Sequence, residues 1–245
     1  MKRILLPIIP ALFCVHALGQ EWRPVLTEKW EPVPPVVTPG IGTAPPSDAI
    51  VLFDGTNFDQ WEGTGRNSTE IGWELSDGAM TIVPRTGGIR TKQSFGDVQL
   101  HIEWRAPLGD DGTGQGKGNS GIFLNGLYEV QVLDSYENET YSNGQAASIY
   151  KQHNPLVNAC LPPGEWQAYD IIYTAPRFKD NGTLFSPATI TVIQNGILVL
   201  NHVVLKGSTV FTGLPEYEVH DLKSPLMLQN HTDLVSYRNI WVREL

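Results

Sequence analysis

From Ala49 to the C-terminus the chain alternates short apolar runs with Gly, Asn and Ser. The runs are Ile50–Phe53, Trp73–Leu75, Ala79–Val83, Val98–Arg105, Gly121–Leu124, Leu127–Asp134, Trp166–Tyr173, Ala188–Gln194, Ile197–Leu205, Leu226–Leu228 and Val235–Arg243. Runs of this length with two-residue alternation predict strands, and no stretch carries helical periodicity beyond about two turns. The expectation is one all-β domain over 49–245. It should close as a sandwich of two antiparallel sheets, because each sheet has one apolar face to bury. Asp77-Gly78, Asn125-Gly126 and Asn195-Gly196 mark tight turns, since these residues tolerate the positive φ that hairpin turns need. Two long insertions, Leu108–Gly118 and Ser135–Glu165, break the rhythm, and loops of that length in a compact domain are usually functional or mobile.

Polar residues inside the strands are the next signal. Side chains two apart share a face of a strand, so Glu129 and Gln131 project together while Tyr128, Val130 and Val132 point away. His101, Glu103 and Arg105 likewise share a face opposite Leu100, Ile102 and Trp104. That face fits a solvent-exposed strand with a cross-strand ion pair, and it also fits an acid set beside a base. Gln229 and His231 share a face near the C-terminus. Histidine can act as acid, base or ligand, or serve as a hydrogen-bonded structural residue. Glu129, Gln131 and Asp134 spell E-x-Q-x-x-D, and a β-bulge would return Asp134 to the face of the other two. The pattern resembles the E-x-D-x-x-E signature of retaining β-glucanases on a concanavalin A-like jelly roll, which pair two carboxylates about 5 Å apart. Gln131 departs from it, because an amide cannot ionise.

Composition narrows the classes. Lys2-Arg3, the apolar run Ile4–Phe13, and Ala17 with Gly19 before Gln20 read as a secretory signal peptide over 1–19. The protein is therefore expected to be exported, to the periplasm or the extracellular space. Residues 20–48 hold Pro24, Pro32, Pro34, Pro35, Pro39, Pro45 and Pro46, too many for a sheet interior, and are expected to form an extended leader that can lie on the domain surface. Losing Lys2 and Arg3 from 17 basic residues against 26 acidic ones moves the net charge from −9 to −11. That balance argues against a nucleic-acid partner. No later run approaches the roughly 18 apolar residues of a membrane span. Cys160 alone remains after cleavage, which leaves no internal disulfide. His101, Glu103, Glu129 and His231 are types that could hold a divalent ion. No ligand spacing such as H-E-x-x-H accompanies them, so neither a metal site nor a cofactor is expected. Seven Trp and eight Tyr in an acidic β chain fit contact with an oligosaccharide or glycoside.

Several segments together resemble a known family. They are LFDGTNFDQWEG (52–63), HIEWRAP (101–107), GNSGIFL (118–124), YEVQVLDS (128–135), SIY (148–150), GEWQAYDI (164–171), QNG (194–196), LMLQNH (226–231) and YRNIWVREL (237–245). In this order they resemble the 3-keto-disaccharide hydrolase, or 3-keto-glucoside lyase, domain. The resemblance implies a concanavalin A-like jelly roll and cleavage of glycosides already oxidised at sugar C3. A ketone at C3 acidifies the C2–H, so a base, an oxyanion stabiliser and an acid suffice for β-elimination of the C1 substituent, and water can then add. Carried over residue by residue, the resemblance implies a polar cluster of Glu103, Arg105, Asn119, Glu129, Gln131, Asp134, Tyr150, Gln229, His231 and Arg238. Glu129 or His231 would be the base. Arg105 with Asn119 or Gln131 would polarise the ketone, and Glu103 would hold Arg105 or protonate the leaving oxygen. Lys151 departs from the small residue expected there. A non-catalytic carbohydrate-binding module and a conventional β-glucanase are the alternatives, separable by whether an acid and a polariser converge on one point.

Overall fold

The computed structural model describes residues 27–65 and 68–245; the expected signal segment 1–19 and the first part of the leader lie outside them. Contacts divide the chain into one unit ending at Val36 and a second spanning Val37–Leu245. Residues 27–36 carry no strand or helix and are exposed. The second unit begins earlier than Ala49 because the later leader is fastened to it. Trp241 Nε1 and Asn239 Nδ2 each donate to Thr43 O at 3.0 Å. Arg243 donates to the Asp48 carboxylate from Nε and Nη2, the latter at 2.6 Å. Among the described residues no helix is long and apolar enough to cross a membrane.

The described residues hold fifteen strands: β1 (Ile50–Phe53), β2 (Trp61–Gly63), β3 (Glu74–Ser76), β4 (Ala79–Thr81), β5 (Ile89–Phe95), β6 (Val98–Arg105), β7 (Ser120–Leu124), β8 (Tyr128–Val132), β9 (Gln167–Thr174), β10 (Arg177–Phe178), β11 (Leu184–Ser186), β12 (Thr189–Gln194), β13 (Ile197–Val204), β14 (Ser224–Leu228) and β15 (Ser236–Glu244). An eight-stranded sheet runs β13-β12-β9-β6-β15-β4-β3 with β1 also on β15, and a five-stranded sheet runs β2-β5-β14-β7-β8. Pairing is antiparallel, as in the separate β10-β11 hairpin. This is the two-sheet sandwich that the hydrophobic pattern predicts.

Four strands escape that pattern: the β10-β11 hairpin and, within the sandwich, β2 and β5. In β5, IRTKQSF, apolar residues stand only at the ends, and the central inward position is Thr91, which is fully buried. Its hydroxyl donates to Gln93 O at 2.6 Å and accepts from Leu226 N at 3.0 Å, so a polar residue does the work of a core one. Strand β2 is three residues long and reads as a loop without its partner.

The core lies between the sheets. Ile122, Leu124, Tyr128, Val130 and Leu228 on one side meet Leu100, Ile102, Trp104, Tyr169 and Tyr237 on the other. Strand alternation then fixes every remaining side chain on those strands. His101, Glu103 and Arg105 face outward from the eight-stranded sheet. Glu129 and Gln131 face outward from the five-stranded one, on the opposite side of the sandwich.

Register within the β7–β8 hairpin depends on its turn, where Asn125 and Gly126 have φ of 51° and 68°. Those values suit Asn and Gly and are strained for a β-branched residue. Gly126→Val is therefore expected to lower unfolding free energy by about 1–3 kcal/mol, read as a reduced urea midpoint with an unchanged m-value.

Candidate active site

A cavity of about 600 Å³ opens on the outer face of the five-stranded sheet, lined by Gln115, Asn119, Phe123, Glu129, Gln131, Tyr141, Tyr150, Thr209, Phe211, Gln229 and His231. Its floor follows from sheet register. Gly121 pairs with Gln131, Phe123 with Glu129, and Gln229 N donates to Gly121 O at 2.9 Å on the other side. Gly121 leaves room for the Glu129 side chain: a Cβ there would collide with Glu129 Oε1 and come within 2.9 Å of the Phe123 ring. The Glu129 carboxyl thus leans over a glycine, with one glutamine on either side.

Glu129 is 5% exposed, and that burial pushes its carboxyl from the usual 4.5 up to about 8. It is the one carboxyl among the residues lining the cavity. Around it the amides form a fixed net. Gln131 Nε2 donates to Gln115 Oε1 at 3.1 Å and to Asn119 Oδ1 at 3.4 Å, while Asn119 Nδ2 donates to Gln115 O at 2.6 Å. The Asn119 backbone N–H donates to Asp233 at 2.6 Å, and burial raises the Asp233 pKa, with that bond partly opposing the rise. Tyr237 donates to Ser120 Oγ, which donates to Gln229 O, both at 2.6 Å. Gln131 Oε1 and Gln229 Oε1 are buried without a hydrogen-bond partner among the described residues. Unpaired buried acceptors are unfavourable unless a ligand donor meets them.

Of the residues expected from the sequence, Asn119, Glu129, Gln131, Tyr150, Gln229 and His231 therefore come together. Glu103, Arg105 and Arg238 do not: they project from the other sheet, with the core in between. There Glu103 accepts from Arg238 Nε (2.6 Å), Asn239 Nδ2 (2.9 Å) and Thr43 Oγ1 (3.0 Å). Burial raises its pKa, but those hydrogen bonds outweigh burial and hold the carboxyl below its usual range. Arg105 and Arg238 stack over the Trp166 ring at 4.6 and 4.1 Å. His101 sits between Asp170 (2.7 Å) and Glu103 (3.6 Å). His101 and Glu103 are buried on this face, with Thr43 of the later leader over Glu103, while Arg105 and Arg238 stay partly exposed; the cross-strand ion pair is that of Glu103 with Arg238, its register partner. A metal set drawn from both His101–Glu103 and Glu129–His231 is ruled out by the same opposition. Among the described residues no group of three or more His, Cys, Asp or Glu side chains gathers as candidate ligands.

Asp134 is the other correction. Strand β8 ends at Val132, Leu133 turns into the interior, and Asp134 is drawn to Lys117 Nζ at 3.2 Å instead of lining the cavity. The two facing carboxylates of a retaining β-glucanase are thus missing from this cleft. Gln115, Phe123, Tyr141, Thr209 and Phe211 were not anticipated. Phe123 alternates with Gly121 and could have been found by period. Phe211 lies in a loop far along the chain, where nothing local marks it.

A two-sheet β sandwich with one buried carboxyl in a cleft of amides and aromatics defines the class. The chain belongs to the 3-keto-alpha-glucoside-1,2-lyase-like domain family, whose pattern matches residues 48–243. It is 27% identical over 157 residues to a 3-keto-disaccharide hydrolase of Bacteroides thetaiotaomicron, an alignment covering 50% of this chain and 51% of that protein. The chain thus spans about half the length of the curated relative it matches. A crystal structure of a candidate glycosyl hydrolase from Parabacteroides distasonis is 49% identical, with a TM-score of 0.86 over 91% of this chain and 97% of that one. A second from the same organism, 19% identical, shares the fold with a TM-score of 0.59 over 81% and 94%.

The raised Glu129 carboxyl gives a signed prediction for stability. Its folded pKa of about 8 lies above the ordinary 4.5, so between those values the folded state binds more protons than the unfolded one. Its contribution to stability is fully present below about pH 4.5 and is lost as pH rises to about 8. Urea midpoints of the protein and of Glu129→Gln, compared at pH 5 and pH 8.5, should show the fall in the parent to be larger than in the variant.

Proposed function

We propose that the protein cleaves 3-keto-glycosides at the C1–oxygen bond by β-elimination, with Glu129 as the acid that protonates the leaving oxygen. The observation that carries this reading is the buried Glu129 carboxyl over Gly121, held mostly protonated at neutral pH inside the amide-lined cavity. The family membership and the name of the Bacteroides relative supply the substrate class.

In this mechanism His231, exposed at the cavity wall, is the base. Its imidazole takes the C2 proton, and the electron pair of that C–H bond becomes the enolate at C3. Collapse of the enolate restores the ketone, forms the C1–C2 double bond and breaks the bond from C1 to the aglycone oxygen. Glu129 gives that oxygen its proton. Water addition across C1–C2, with protons returned from His231 to C2 and from water to Glu129, completes net hydrolysis. With Arg105 on the other sheet, the enolate oxygen has to be met by amide N–H groups. Gln131 spends both of its N–H groups on neighbours and Asn119 one of its two, so the Gln229 amide and the second Asn119 N–H take this role. The unpaired oxygens of Gln131 and Gln229 accept sugar hydroxyls. A non-catalytic binding module would have no use for a protonated carboxyl at the floor of its groove. Export by residues 1–19 belongs to the same proposal, and N-terminal sequencing of the mature protein at Gln20 would test it.

Incubation with a 3-keto-glucoside and with the matching unoxidised glucoside should release aglycone from the first only. Glu129→Gln should lower kcat by roughly 100- to 10,000-fold with folding intact. In the parent, kcat should decline above about pH 8 as the acid ionises. Release from neither substrate, with and without added divalent metal, would remove the reading, and unchanged turnover in Glu129→Gln would remove its acid.

A further inference from the structure

The cavity has two chemically different halves. Amide hydrogen bonds tie Gln115, Asn119 and Gln131 into one; ring contacts tie Tyr141, Tyr150 and Phe211 around Lys151 into the other. Glu129 stands at the seam. Both segments that bring aromatics dock on its own strand and its own peptide groups: Tyr150 N donates to Glu129 O at 3.3 Å, Thr209 N to Leu127 O at 2.9 Å, and Glu129 N to Thr209 Oγ1 at 3.0 Å. A leaving oxygen at the Glu129 carboxyl thus has hydroxyl-binding amides on one side and ring faces on the other.

The aromatic half is built to hold its shape. Gly144 lets the Tyr141 ring lie against the backbone, since a Cβ at 144 would overlap that ring. The Tyr141 and Tyr150 hydroxyls are hydrogen-bonded at 2.7 Å, with ring centroids 6.2 Å apart. Phe211 is 76% exposed, an unfavourable place for a free phenyl group, yet its position is fixed. Lys151 Nζ donates to Phe211 O at 2.6 Å and lies 4.1 Å from the centroid of its ring. The same ammonium stands 5.6 and 5.8 Å from the Tyr150 and Tyr141 rings. Lys151 itself has φ of 58°, a left-handed conformation that is strained for a side chain of this kind and concentrates at functional positions.

We infer that the aromatic half is the leaving-group subsite and that it selects a flat aromatic aglycone, with Phe211 as its stacking platform and Lys151 as the positioning residue that holds the platform. The inference rests on the glycoside-cleavage reading above. One face of Phe211 is taken by the ammonium, which leaves the other for stacking, and offset stacking of two rings adds to simple apolar burial. The amide half offers no comparable surface, so the sugar and the aglycone have one way round in the cavity.

The test compares phenyl and methyl 3-keto-glucosides in the parent, Phe211→Ala, Lys151→Met and Lys151→Arg, each checked for an unchanged melting temperature. Phe211→Ala should cut the phenyl-to-methyl ratio of kcat/KM by roughly three- to tenfold, mainly through KM for the phenyl substrate. Lys151→Met should move the ratio the same way by a smaller factor, and Lys151→Arg should restore it by keeping a cation over the ring. An equal loss on both substrates in Phe211→Ala overturns the inference while leaving the elimination in place. If the parent cleaves neither ketone, the functional reading fails, and the subsite is judged by titrating parent and Phe211→Ala with phenyl and methyl glucoside. A phenyl preference that the variant loses supports the subsite; no preference in the parent overturns it.

Discussion

The two-residue period of the β7–β8 hairpin is the constraint on which the site depends. The left-handed pair Asn125-Gly126 closes the turn and sets Gly121 against Gln131 and Phe123 against Glu129. A slip of one residue would send Glu129 into the core and Val130 into the cleft, since every side chain of a strand changes face together. Tyr128, Val130 and Val132 are fully buried and oppose that slip with the hydrophobic free energy of three side chains. The core therefore holds the register of the site, and the turn makes it reachable without strain.

Gly121 converts that register into chemistry. A side chain there would displace the Glu129 carboxyl; its absence lets the carboxyl fold down against the sheet, where burial disfavours its charged form. Burial acts in the opposite direction on Glu103, because there it comes with donors from Arg238, Asn239 and Thr43. Two glutamates, each nearly buried on an outward sheet face, thus end with opposite charge preferences. Burial with donors makes a structural anion, and burial without them makes a proton store.

That contrast also explains what the sequence could and could not reveal. Strand alternation and turn dipeptides were enough for the sandwich, and the pairing of Glu129 with Gln131 follows from period alone; Gln229 and His231 also reach the cavity, but from the segment after β14, which ends at Leu228, and not from one face of a strand. Period does not say which sheet a strand joins. Glu103 and Arg105 look like Glu129 and Gln131 in every local respect, and only the order of strands across the two sheets sends them to the other side of the molecule. Asp134 misleads for a different reason: the strand ends at Val132, and Lys117, from a loop that one-dimensional patterning cannot place, captures the carboxylate. Strand β5 hid behind Thr91, whose hydroxyl is satisfied by main-chain partners that exist only once the sheet has formed.

The aromatic wall was the least legible part, and its origin is topological. Tyr141 and Tyr150 come from the insertion after β8, and Phe211 from the loop after β13, some sixty residues further along the chain. They meet because both segments attach to the same strand edge, through the peptide groups of Leu127 and Glu129. An edge strand left bare invites pairing with another chain. Here its two free stretches are covered by two loops, and the covering carries the rings. The device that protects the sheet edge is thus the one that shapes the cavity, so either loop can vary in sequence and alter what the cavity accepts while the acid stays where the hairpin has put it.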